Sequence, residues 1–186
     1  MILIGIAGKA RSGKDTIAEY MVNEYGAHRY ALADPLKEAI SVATGIPLDD
    51  FYNEEKKEIE NPFWGLSPRY FAQHFGTECM RHQFREDFWL KRAELEYVRV
   101  LQECHPAFFV IPDIRFENEV DWIREMGGEM WHVIRPALGE GIVRPHASEK
   151  GVERREDDTV FVNEEGKIDG LYRAVDNAVS HLKSKI

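Results

Sequence analysis

The segment Gly8-Lys-Ala-Arg-Ser-Gly13-Lys14 has the spacing Gly-x-x-x-x-Gly-Lys, and each residue type in it suits a polyphosphate. Glycines let the backbone wrap a phosphate so that several N–H groups point inward, and a helix opening at the end of the loop adds its partial positive charge. A lysine there reaches the β- and γ-phosphates and neutralises charge during phosphoryl transfer. The residues implied in holding a nucleoside triphosphate are Gly8, Lys9, Ala10, Arg11, Ser12, Gly13, Lys14, Asp15 and Thr16. The position after the lysine usually carries the hydroxyl that ligates Mg²⁺; here it is Asp15, followed by Thr16. A carboxylate can hold Mg²⁺ directly or through water, and Thr16 can be a structural hydroxyl; the sequence leaves these open.

Such a loop works only between a strand and a helix, and the flanking residues predict both. Ile2 to Ala7 is a continuous apolar run, the mark of a strand buried on both faces of a parallel sheet. Ile17, Ala18, Met21, Val22 and Tyr25 share one helix face, and Gly26 ends that helix. A weaker strand is expected over His28 to Ala33. A helix capped by Asp34, with Pro35 in its first turn, then runs to Thr44 and stops at Gly45. Residues 46–66, charged and broken by Pro47 and Pro62, read as an excursion from the core. Ser67-Pro68 repeats the cap-plus-proline signal and predicts a helix to Phe75, stopped by Gly76, with Thr77 capping a further helical stretch to about Glu103.

Ala107 to Ile111 is a second buried strand, with Pro112-Asp113-Ile114-Arg115 leaving its end. A helix over Glu117 to Met126, a strand over Met130 to Ile134, a polar stretch over 137–158, a strand over Thr159 to Val162 and a helix capped by Asp169 follow. Alternating strands and helices predict an α/β fold, a mostly parallel sheet with helices on both faces. Ligands in such sheets bind at the carboxyl ends of the strands, where the glycine-bearing loop and the Asp113/Arg115 segment both fall.

The chain has 186 residues, enough for one ordinary domain, with 44% hydrophobic and 31% charged residues, which excludes a disordered chain. No apolar run approaches the ~20 residues that span a bilayer. The apolar N-terminus lacks a preceding basic segment and reads as a strand, not a signal peptide. Two cysteines, Cys79 and Cys104, then suggest reduced thiols in a cytosol. A net charge of −9 argues against a nucleic-acid-binding protein, which needs a basic surface. The histidines show no metal-ligand spacing, and no Ser–His–Asp or Cys–His arrangement is recognisable.

Further segments follow the loop in order: Ala33-Asp-Pro-Leu-Lys37, Gln73-His-Phe-Gly-Thr-Glu78 with Arg81, Ile111-Pro-Asp-Ile-Arg-Phe-Glu-Asn-Glu119, Gly127-Gly128, Arg135-Pro136 and His146-Ala-Ser-Glu149. With Gly13-Lys-Asp-Thr16 at its head, this set resembles the phage-type deoxynucleoside monophosphate kinase family, a branch of the P-loop nucleoside monophosphate kinases, over nearly the whole chain. The resemblance implies a three-layer P-loop kinase fold in a single domain spanning 1–186, with an acceptor-binding excursion over about 34–104 and a lid over about 136–158. It implies transfer of the ATP γ-phosphate to a deoxynucleoside 5′-monophosphate (dNMP) with Mg²⁺. Lys14, Arg11, Asp113 and Arg115 become the catalytic residues, and Arg135 joins the triphosphate site. Asp34, Lys37, Trp64, Arg69, Gln73, Gly76, Thr77, Arg81, Arg115, Glu119 and His146 become the acceptor site, and Asp15 and Asp113 the Mg²⁺ carboxylates. A cytoplasmic enzyme is implied (host cytoplasm for a phage gene), without nucleic-acid or membrane partners; a homodimer is left open.

The residue types suit that chemistry on their own terms. Bringing two polyanions together needs cations from several directions, since catalysis is then positioning and charge neutralisation. Arg69 and Gln73 share a helix face at i and i+4, and Arg144 and Arg154-Arg155 lie in the polar stretch. An arginine grips a phosphate bidentately, as lysine does not, although a lone surface arginine is commonly solvated. Trp64, outside any expected helix, is the aromatic best placed by sequence to stack on a base. Two rivals share the loop: a kinase of another small acceptor, such as dephospho-coenzyme A, and a nucleotide-binding regulatory protein with little turnover.

Overall fold

The computed structural model describes residues 1–136 and 146–184. Its strands are β1 (Ile2–Ala7), β2 (His28–Arg29), β3 (Phe108–Ile114), β4 (Glu129–Ile134) and β5 (Thr159–Val162). Its helices are α1 (Lys14–Tyr25), α2 (Asp34–Thr44), α3 (Leu48–Tyr52), α4 (Pro68–Gln73), a π-helix (His74–Phe84), α5 (Phe88–Glu103), α6 (Glu117–Glu125) and α7 (Ile168–Ser184). Contacts divide the chain into two compact units, Met1–Tyr30 with Glu96–Ile186, and Ala31–Leu95. Among the described residues no helix is long and apolar enough to cross a membrane.

The first unit is built on a five-stranded sheet in the order β2-β3-β1-β4-β5, parallel throughout. β1 is the middle strand because it is apolar on both sides. Ile4 and Ile6 join Phe108, Val110, Trp131 and Val133 against Ile17 and Met21 of α1 and Leu171, Val175 and Val179 of α7. On the opposite face Gly5 meets α6 so closely that a Cβ would lie 2.8 Å from Met130 Sδ and 3.1 Å from Ile123 Cγ1. The sheet is thus a middle layer between α1/α7 and α6, as the alternation of elements predicted. Each fully buried Ile, Leu or Phe in it contributes about 1.5–3 kcal/mol.

Three boundaries in this unit differ from expectation. β2 pairs only over His28 and Arg29, and Tyr30 adds one further bond through its N–H to Val110 O. β3 does not end at Ile111: Gly5 pairs with Ile111 but Ala7 pairs with Ile114. One extra residue is accommodated there as a bulge, which is how a strand tolerates a proline such as Pro112. Asp113 is therefore inside the strand. α7 begins at Ile168, so Asp169 lies in its first turn instead of capping it.

Segment 153–158 is tied to α6 along one stripe. Glu117 Oε1 accepts the Glu153 N–H, Asp121 Oδ1 accepts Arg155 Nη2, and Arg124 Nη2 donates to Asp158 Oδ1. Behind this stripe Nε2 of buried His132 sits 3.0 Å from Asp158 Oδ2. Burial holds the His132 pKa below its ordinary 6.5, outweighing the pull of Asp158. Burial also pushes Asp158 upward, but the Arg155 N–H and the Arg124 guanidinium outweigh it and leave the carboxyl lowered. Both groups bind protons more readily in the unfolded chain, so both cost stability on acidification. His132 acts first, in the window below 6.5. The melting temperature is expected to fall as pH drops from about 7.5 to about 5.5, and to fall less in His132→Gln. Equal slopes in both proteins would contradict this.

The second unit is helical. Ser67 caps α4 as expected, its Oγ accepting the Tyr70 N–H at 3.2 Å. Asp34 does not cap α2: the N-cap is Ala33, without a side-chain cap bond, and Asp34 is the first helical residue. Nor does Gly76 stop a helix or Thr77 start one. Both are buried in the π-helix that continues α4. Gly76 is there for close approach, since a Cβ would lie 2.9 Å from Leu36 Cδ2, and its carbonyl accepts the Trp89 indole N–H at 2.9 Å. A π-helix this long is rare, and such segments concentrate at functional sites.

Candidate active site

β1 delivers the chain to Gly8 at its carboxyl end, and α1 carries it away from Lys14. Gly8 has φ +151° and lies against β4: a Cβ would be 2.5 Å from Val133 O and 2.8 Å from Ser12 Oγ. Gly13, the N-cap of α1, has φ +109°, and its Cβ would lie 2.5 Å from Asn163 Nδ2. Both positions form a cradle with no room for a side chain. Arg11 adopts φ 62°, a left-handed conformation uncommon outside glycine. Ser12 N–H and Lys14 Nζ both donate to Lys9 O, at 3.1 Å and 2.8 Å. From outside, Asn163 Nδ2 donates to Ser12 O at 2.8 Å and Arg135 Nη1 to Arg11 O at 3.4 Å. Asn163, just beyond β5, is a loop-holding residue that the sequence reading missed. Its only signal is its place at the carboxyl end of a strand.

Lys14 is buried, and that burial, reinforced by Arg115, lowers its pKa to about 8, against the opposing pull of Asp15, Asp113 and Glu149. These five charged side chains therefore share one electrostatic neighbourhood, at the carboxyl ends of β1 and β3. Lys14 is still an ammonium at neutral pH, stripped of much of its water, a state in which it gains strongly from an arriving anion.

Glu119 sets the backbone at Arg115. Its Oε2 accepts the N–H of Arg115 at 2.7 Å and of Phe116 at 3.1 Å, and the residue is 3% exposed. Glu119, expected as an acceptor contact, is a buried cap that opens α6. Arg115 Nη1 donates to Ser148 O at 2.9 Å and lies 3.6 Å from Glu149 Oε1. His146 caps the Ala147–Glu149 turn, its Nδ1 accepting the Ser148 N–H at 3.2 Å. Asp15 pairs with Arg29 at 3.4 Å, an exposed contact. Arg155 pairs with exposed Asp121, the ordinary surface role. Arg144, and the expected lid over its stretch 137–145, lie outside the described residues.

A triphosphate fits the loop on observations of the loop itself: the two-glycine cradle, and the buried Ser12 Oγ, which has no hydrogen-bond partner. For Mg²⁺, Asp15 and Asp113 offer two carboxylates beside Lys14, and Mg²⁺ bound with a nucleotide takes one or two carboxylates while keeping waters and phosphate oxygens. Among the described residues no cluster of three or more His, Cys, Asp or Glu could hold a metal without such help.

The remaining acceptor candidates, Asp34, Lys37, Trp64, Arg69, Gln73, Gly76, Thr77 and Arg81, all belong to the second unit. Arg69 Nη1 bonds Glu58 Oε1 at 2.8 Å. Arg81 and Thr77 are buried. Trp64 is partly exposed, edge-on to Phe63 and Phe71, and its indole N–H donates to Thr44 O at 3.0 Å. Asp34 and Lys37 meet Tyr52, which the sequence reading did not single out.

The family model for deoxynucleotide monophosphate kinase matches residues 2–60 and 48–175, two overlapping stretches that together cover most of the chain. A protein of Acanthamoeba polyphaga mimivirus assigned as a deoxynucleotide monophosphate kinase is 31% identical over 154 residues, covering 78% of this chain and 80% of that protein. The deoxynucleotide monophosphate kinase of Enterobacteria phage T4 is 25% identical, covering 98% of this chain and all of its own. Among solved structures, TT1252 from Thermus thermophilus superposes with a TM-score of 0.55 at 19% identity, over 97% of both chains. The dephospho-CoA kinase of Campylobacter jejuni superposes with a TM-score of 0.50 at 16% identity, over 99% of this chain and 98% of its own. At such identities the structures speak to the fold alone, an α/β P-loop kinase fold, while the family model and the viral relatives speak to descent. The chain belongs to the deoxynucleotide monophosphate kinase family.

Proposed function

We propose that this kinase transfers the γ-phosphate of ATP to the 5′-phosphate of a deoxynucleoside monophosphate, giving ADP and the deoxynucleoside diphosphate. The observation that carries the reading is buried, desolvated Lys14 at the end of the loop, sharing its neighbourhood with Asp113 and Arg115. An acceptor phosphate oxygen forms the new bond to Pγ as the bond from Pγ to the bridging oxygen breaks, and ADP keeps that electron pair. The attacking oxygen is already anionic, so no general base is required. Loop N–H groups and Lys14 hold the β- and γ-phosphates, and Arg115 and Arg11 offset charge on the transferred group. Mg²⁺, held by Asp15 and Asp113, supplies further neutralisation at the phosphate oxygens when bound. For Arg115 to act, the phosphate replaces Ser148 O and Glu149 as its partner.

Arg69 is the second unit's candidate grip on the acceptor phosphate. It is already paired with a carboxylate, Glu58, so a phosphate oxygen would exchange one anion for another. Arg69→Ala is expected to raise the KM for the acceptor about 10- to 100-fold, the loss of a charge-assisted hydrogen-bond pair, with the KM for ATP within about twofold of normal. Equal changes in both constants would remove Arg69 from the acceptor site.

A coupled ADP-release assay over deoxynucleoside and ribonucleoside monophosphates and dephospho-coenzyme A tests the reading. Stimulation by deoxynucleoside monophosphates is expected. Stimulation by dephospho-coenzyme A alone would transfer the assignment to that acceptor, and stimulation by none would leave a nucleotide-binding protein without this activity.

A further inference from the structure

Residues 46–66 interrupt the sequence pattern with charge and proline and carry no motif, yet one of them holds two candidate acceptor residues at once. α3 is a five-residue helix anchored by Phe51, which is 4% exposed, while Tyr52 beside it is 43% exposed. The Tyr52 hydroxyl donates to Asp34 Oδ1 at 2.8 Å. The face of the same ring receives the Lys37 ammonium, with Nζ 3.8 Å from the ring centroid. Asp34 and Lys37 stand three residues apart in the first turns of α2 and so share a helix face.

The two contacts are different in kind and complementary in effect. A phenol donating to a carboxylate is a charge-assisted hydrogen bond, directional and stronger than a neutral one. A lysine over an aromatic face is held by the ring quadrupole, worth more as water is excluded. The carboxylate at the start of α2 is already favoured by the helix dipole; the ammonium is not, so the ring supplies a partner that the helix itself does not. One side chain thus meets both the Asp34 carboxylate and the Lys37 ammonium, 18 and 15 residues away in sequence.

We propose that Tyr52 is a positioning residue of the acceptor subsite, orienting Asp34 through its hydroxyl and Lys37 through its ring for binding a deoxynucleoside monophosphate. This rests on the proposed role of Asp34 and Lys37 in acceptor binding. It gives residues 48–52 a task in the reaction and makes the hydroxyl and the ring separable.

The test is steady-state kinetics on Tyr52→Phe, Tyr52→Leu, Asp34→Ala, Lys37→Ala and the double variants Asp34→Ala/Tyr52→Phe and Lys37→Ala/Tyr52→Leu, with circular-dichroism melts of each. Tyr52→Phe keeps the ring and is expected to raise the acceptor KM about 10-fold, the lower end of the value of one hydrogen bond to a charged group, with the KM for ATP and the melt unchanged. Tyr52→Leu is expected to raise it further. In the Asp34→Ala background Tyr52→Phe is expected to add nothing, and in the Lys37→Ala background Tyr52→Leu is expected to cost less than it does alone, the non-additivity of coupled residues. A merely structural tyrosine would shift the melt and both KM values together and would be additive with Asp34→Ala. If Asp34→Ala raises the acceptor KM while neither Tyr52 variant does, the positioning role is overturned and the acceptor site stands. If Asp34→Ala and Lys37→Ala both leave the acceptor KM unchanged, the acceptor-site reading falls and the role of Tyr52 falls with it.

Discussion

Lys14→Met is expected to lower turnover by about three orders of magnitude, the scale on which a cation or donor aimed at a transferring phosphoryl group acts. It is also expected to leave the fold at least as stable as before. Lys14 is 9% exposed and its burial already disfavours the charge, lowering its pKa to about 8. A methionine of similar length fills the same space without that desolvation cost, so the variant should melt at the same temperature or higher. This pairing of lost activity with retained or gained stability is the signature of a residue kept for function at the expense of stability. Single-turnover rates and thermal melts on the same preparation check it. Near-normal turnover in a folded Lys14→Met would remove the lysine from the reaction.

Gly8→Ala is expected to damage the loop and the fold together. The added Cβ would meet Val133 O at 2.5 Å, a backbone atom of β4 that cannot turn aside as a side-chain end can. The residue would also hold φ +151°, a region that L side chains rarely adopt. Strain and overpacking of this kind cost roughly 2–5 kcal/mol together, enough to lower the melting temperature by many degrees, and the loop could relax only by moving away from β4. Triphosphate binding is expected to be undetectable by calorimetry under conditions where the parent protein binds. Gly26→Ala is the control. Gly26 also has a positive φ, but nothing lies within 4 Å of its added Cβ, so its cost is limited to about 1–2 kcal/mol of backbone strain. Equal effects at both glycines would mean that the contact with Val133 is not what fixes Gly8.

The contrast between these glycines also shows what the linear sequence could carry. The Gly8, Gly13 and Lys14 motif is legible because its spacing falls within seven residues, between a strand and a helix whose apolar patterns are themselves local, although the atoms that crowd the two glycines, Val133 O and Asn163 Nδ2, are distant in sequence. Gly26 and Gly45 were read correctly as helix ends, since each caps its helix in a left-handed conformation. Gly76 was misread by the same rule, because its reason is the side chain of Leu36, forty residues away. Asp34 was read as a cap because Asp-Pro is a local signal; the residue that takes its carboxylate, Tyr52, is not local. Asn163 meets Ser12 across 151 residues, and Arg124, His132 and Asp158 come together only when α6, β4 and the approach to β5 pack. Pro112 suggested the end of a strand and instead sits at a bulge inside one. The fold class was legible in the alternation of elements. The partners of the charged site residues were not, because no periodicity links residues that meet only through the sheet.

In the proposed reaction the γ-phosphate leaves ATP and arrives on a deoxynucleoside monophosphate. Incubating the protein with γ-³²P-labelled ATP, Mg²⁺ and each deoxynucleoside monophosphate, and separating the products, tests it directly. Label recovered in a deoxynucleoside diphosphate, dependent on the acceptor and lost in Lys14→Met, is the predicted result. Label found only in ATP and inorganic phosphate, whatever the acceptor, would contradict it.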